Sequence, residues 1–68
     1  MNEETFNLGI RRFLKEFGVN AQRGVEKAVA AAVASGRLIG TETLEVRATI
    51  DIEGLGNALT LDGRIPLE

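Results

Sequence analysis

Apolar residues change their period part-way along this chain, recurring every three or four positions up to Ser35 and every second position after Gly40. The first spacing belongs to a helix with one apolar face and the second to a strand with one apolar face. Phe6, Ile10, Phe13, Leu14 and Phe17 make one helical stripe that holds all 3 phenylalanines of the chain. Asn2 is placed to cap this helix, and Glu3 and Glu4 put negative charge at the positive end of its dipole. Gly18 reads as a left-handed terminator and Asn20 as the cap of a second helix, which carries Val25, Ala28, Val29, Ala32 and Val33 on one face and stops at Gly36. The pattern therefore predicts helices over residues 3–17 and 21–35, joined into a helical hairpin over 2–36.

After a linker at 37–41, Leu44, Val46, Ala48, Ile50 and Ile52 alternate with Glu45, Arg47, Thr49, Asp51 and Glu53. Leu59, Leu61, Ile65 and Leu67 alternate in the same way, and Gly54-Leu55-Gly56-Asn57 between the two runs supplies turn residues. These predict strands over 42–53 and 58–66 in a β-hairpin spanning 42–67. A two-residue Gly54-Leu55 turn sets Glu45 opposite Arg64, Arg47 opposite Asp62 and Thr49 opposite Thr60, three favourable cross-strand pairs. A turn centred on Leu55-Gly56 would oppose Arg47 to Arg64, so the first register is preferred.

The predicted fold is α+β, one small domain over 1–68 in the order helix, helix, strand, strand, with the helical hairpin packed on one face of the antiparallel β-hairpin. Its expected core is Phe6, Ile10, Phe13, Phe17, Val25, Val29, Val33, Val46, Ile50, Leu59 and Leu61. The closing Leu67-Glu68 is the dipeptide that expression vectors commonly leave ahead of a purification tag, so Glu68, with or without Leu67, is a candidate vector remnant.

Domains of 68 residues bury a modest share of their surface and usually need a staple. With no Cys and no His there is neither a disulfide nor the usual zinc ligand, which leaves oligomerisation as the common remedy. A net charge of −2 gives no global attraction to nucleic acid or anionic lipid. Charges at Glu3, Glu4, Arg11, Arg12, Lys15 and Glu16 interrupt what would be the apolar centre of a signal peptide, and the small apolar run Ala28 to Ala34 falls far short of a membrane span. A cytoplasmic protein with no membrane partner is expected.

The same composition argues against an enzyme. Ser35 is the only serine and has no histidine to activate it. Asp51, Glu53 and Asp62 fall on the polar face of the hairpin, where carboxylates titrate normally, and the Gly54-x-Gly56 pair links strands instead of opening a phosphate-binding helix. No catalytic, cofactor-binding or metal-ligating residue is identified, and no cofactor is expected.

Two interaction readings remain. Thr41 to Glu53 contains neither Pro nor Gly, so the outer edge of the first strand, at Glu45, Arg47, Thr49 and Asp51, is free to pair with a second copy in a two-fold dimer. Alternatively, Arg11, Arg12, Lys15, Arg23 and Lys27 form a basic patch around the interhelical turn of a helix-turn-helix-like nucleic-acid binder, with the β-hairpin as its wing. The first reading is preferred, since Glu16 and Glu26 dilute the patch and no strand aromatic is present to stack bases. An unidentified protein partner is compatible with it.

The stretch MNEETFNLGIRRFLKEFGVNAQRGVEKAV from Met1 to Val29, with Ala34-Ser35-Gly36-Arg37-Leu38 and Ile52-Glu53-Gly54-Leu55, resembles a family of short bacterial proteins of unknown function. The resemblance implies a stand-alone bacterial protein. It brings no activity, cofactor or site residue with it.

Overall fold

A computed structural model describes all residues from Met1 to Glu68, in the order α1 (Glu3–Ala34), β1 (Thr43–Ile52) and β2 (Gly56–Pro66). It divides into two units, Met1–Arg37 and Leu38–Glu68.

The first unit is one helix of 32 residues, which replaces the predicted helical hairpin. Its beginning follows the sequence. Asn2 caps it, with the Asn2 Oδ1 accepting from the Thr5 amide at 3.0 Å, and Glu3 and Glu4 occupy the first turn. Its end follows the sequence too. Gly36 sits at φ +81°, its amide donates to the Val33 carbonyl at 3.1 Å, and the Arg37 amide donates to the Ala32 carbonyl at 2.8 Å. That is the paired bonding of a Schellman motif, which satisfies carbonyls the last turn would otherwise leave open.

The interior differs from expectation at Gly18 and Asn20. Gly18 keeps a negative φ and continues the helix, and the Asn20 side chain donates to the Glu16 carbonyl at 2.8 Å instead of capping a new helix. A glycine inside a helix costs about 1 kcal/mol relative to alanine. Breaking the helix there would open a full turn of backbone bonds on each side, and no proline forces it. The stripe itself carries the continuity, since Phe6, Ile10, Phe13 and Phe17 run in helical phase into Ala21, Gly24, Ala28 and Ala32.

The second unit is a two-stranded antiparallel hairpin. Leu44, Val46, Ala48 and Ile50 are half-buried while Thr43, Glu45, Arg47, Thr49 and Asp51 are exposed, so the alternation reads true. Glu45 pairs with Arg64, Arg47 with Asp62 and Thr49 with Thr60, the register that the cross-strand charges predict. The turn is not the predicted two-residue one. Ile52 pairs with Gly56, leaving Glu53, Gly54 and Leu55 as the loop, and the register shifts between Ile50 and Asp51. The Leu55 amide donates to the Ile52 carbonyl at 2.9 Å with Gly54 at φ +84°, the positive value that the third residue of a type II turn requires. The extra loop residue is absorbed by a bulge at Ala58, so the strand bodies keep their pairing.

Neither unit holds a buried side chain. Of the expected core, Val29, Val46 and Ile50 are half-buried, and Phe6, Ile10, Phe13, Phe17, Val25, Val33, Leu59 and Leu61 are exposed. The physical reason in the first unit is the unbroken helix, because a single helix cannot fold its stripe against itself.

Candidate interaction surfaces

The helix carries an exposed apolar stripe. Phe13 and Phe17, one turn apart, stack with ring centroids 6.4 Å apart and planes 18° apart. Phe6, Ile10 and Leu14 extend the surface on either side, and all are exposed. Toward the C-terminus the same face is lined by small residues, and a Cβ added at Gly24 would meet nothing within 4 Å.

The five cations of the proposed basic patch lie on this one helix, with no interhelical turn to gather them. Arg11 and Lys27 are 16 residues apart in the chain, or about 24 Å along the axis at 1.5 Å per residue. Arg12 and Lys15 lie near the first and Arg23 near the second. None of the five takes part in an ion pair, and Glu16 and Glu26 stand among them. The geometry of a helix-turn-helix is therefore absent, because the recognition helix and its supporting helix are a single rod.

On the hairpin, Arg47 Nε donates to Asp62 Oδ1 at 2.6 Å, and Arg64 lies 3.5 Å from Glu45. Both pairs remain mostly solvated, with the Arg47 and Asp62 side chains 68% and 65% exposed, so each contributes less than about 1 kcal/mol. Glu45, Arg47, Thr49 and Asp51 lie along β1, whose second edge has no partner strand in the chain. The polar side chains of the expected dimer edge are thus engaged across the hairpin at Glu45 and Arg47, while the strand edge itself is unpaired.

Two residues take roles that the sequence pattern did not assign, Glu42, unremarked at the start of the predicted strand, and Asn57, expected only as a turn residue. Glu42 folds its carboxylate back on the loop before β1, accepting from the Ile39 amide at 2.9 Å, the Gly40 amide at 2.9 Å and the Thr41 amide at 3.2 Å. These amides, with Ile39 foremost, hold its carboxyl below the usual glutamate range. Successive amides of this kind make an anion-binding concavity, here filled by the chain's own side chain. The signal in the sequence is the spacing of Gly40 two residues before Glu42, and in the structure Gly40 takes φ +108°. Asn57 spans the bulge, its amide donating to the Leu59 carbonyl at 3.1 Å and to Asp51 Oδ1 at 3.3 Å.

No group of three or more acidic, histidine or cysteine side chains is arranged to hold a metal ion. The Ser35 hydroxyl donates to the Ala32 carbonyl at 3.2 Å, as a helix-end serine commonly does. No helix is long and apolar enough to cross a membrane.

A family model described as a family of unknown function, DUF6494, matches residues 1–68. The chain belongs to DUF6494. The match runs through both units, the helix as well as the hairpin, so this DUF6494 chain joins the two as parts of one family unit. No curated protein and no solved structure matches it.

Proposed function

We propose that this chain is a non-enzymatic interaction module that acts as a homodimer. The observation that carries the reading is the stripe of Phe6, Ile10, Phe13, Leu14 and Phe17 on a 32-residue helix that forms a unit with no buried side chain of its own. Isolated helices are marginal in water and gain most of their stability by packing an amphipathic face, and a lone two-stranded hairpin is marginal as well. A second copy offers the same unpartnered faces and is present at the same concentration, which makes it the simplest source of the missing core. The non-enzymatic part rests on the chemistry of the side chains, since the chain has no His or Cys and its one serine hydroxyl is turned back to the helix backbone.

Sedimentation equilibrium at micromolar to millimolar concentration tests the proposal. A particle of twice the 7.3 kDa chain mass is expected. A 7.3 kDa particle throughout would overturn it, and would favour a chain that covers its own apolar faces.

A further inference from the structure

Resting on the homodimer reading, we infer that the helices of two copies pair antiparallel along the apolar stripe, with the two-fold axis level with Val19. The stripe is asymmetric. Its N-terminal half carries the bulky residues Phe6, Phe13 and Phe17, and its C-terminal half carries Ala21, Gly24, Ala28 and Ala32. A parallel pair would set large against large at one end and small against small at the other, forcing the axes to splay. The antiparallel pair instead brings Phe6 against Ala32, Ile10 against Ala28, Leu14 against Gly24 and Phe17 against Ala21, four layers of one large and one small side chain, with Phe13 against Val25 in the fifth. Because Gly24 has open space where a Cβ would stand, the partner's Leu14 has room to seat there.

Interface size and the helix dipoles favour the same arrangement. Arg11 and Lys27 lie on opposite edges and do not meet. Opposed macrodipoles add to the preference. A helix of 32 residues is about 48 Å long, and a stripe about 10 Å wide gives roughly 960 Å² over both copies, close to the ~1,000 Å² that a specific interface needs.

The absence of cysteine makes single-cysteine cross-linking a clean test. Asn20→Cys stands beside the axis and should cross-link to its own copy through a short bifunctional thiol reagent. Asn7→Cys should not, because the antiparallel pair separates its two copies by about 36 Å. Efficient cross-linking of both variants would show a parallel pair and overturn the inference. Cross-linking of neither, with a dimer still present in sedimentation, would move the interface to the β1 edge and also overturn it. Cross-linking of neither with a monomer in sedimentation would overturn the homodimer reading as well.

Discussion

Phe13 stacks on Phe17 at 6.4 Å between ring centroids, yet the two residues keep 53% and 38% of their surface exposed. Two aromatic rings aligned on one face of a helix and left half in water are the kind of anchor that the proposed homodimer needs. Replacing Phe13 with Ser should therefore weaken self-association by about 2 kcal/mol, roughly thirtyfold in Kd. Analytical ultracentrifugation checks this, and an unchanged dissociation constant would remove Phe13 from the interface.

Gly18 and Gly36 make opposite predictions. Gly18 is helical and a Cβ there meets nothing within 4 Å, so Gly18→Ala should raise helix stability by about 1 kcal/mol. Gly36 needs its φ of +81°, so Gly36→Ala should cost about 1 to 2 kcal/mol. Circular dichroism melts of the two variants decide the matter. Destabilisation by Gly18→Ala would restore the broken helix.

How far the sequence could be read is clearest at these glycines. Asn2 and Gly36 announced both ends of the helix through local chemistry, a cap and a left-handed stop, and Arg47 with Asp62 announced the strand register through charge. Gly18 followed by Asn20 carries the same local signals as a true boundary and loses to the continuity of 32 residues of hydrogen bonding. The clue lay in phase, because residues separated by a turn have no reason to keep one helical face. The bulge at Ala58 was hidden for a different cause, since a three-residue loop with one bulge and a two-residue loop without one give the strand bodies the same pairing.

Glu42 should make the hairpin sensitive to acid. Its amide partners favour the carboxylate and depress its folded pKa, so the unfolded chain takes up the proton first. The stabilisation is fully present above the ordinary glutamate range and is lost as pH falls through the lowered folded value. Glu42→Gln should melt lower at neutral pH and lose part of the wild-type decline below the glutamate range. Equal slopes for both proteins would show that the loop does not depend on that charge.

Arg47 and Asp62 should be weakly coupled despite their 2.6 Å approach. A double-mutant cycle with Arg47→Ala and Asp62→Ala is expected to give about 0.5 kcal/mol, falling as salt rises. A coupling above about 2 kcal/mol would mean that this face is shielded from water in the assembled protein.

Thermal melting as a function of concentration tests most directly whether folding and association are linked. A protein that gains its core from a second copy must melt at a temperature that rises with chain concentration, by mass action. A rise of several degrees between 5 μM and 500 μM, roughly a hundredfold change, is the expected result for a domain this small. A melting temperature unchanged over that range would contradict the account, since the chain would then be stable without a partner.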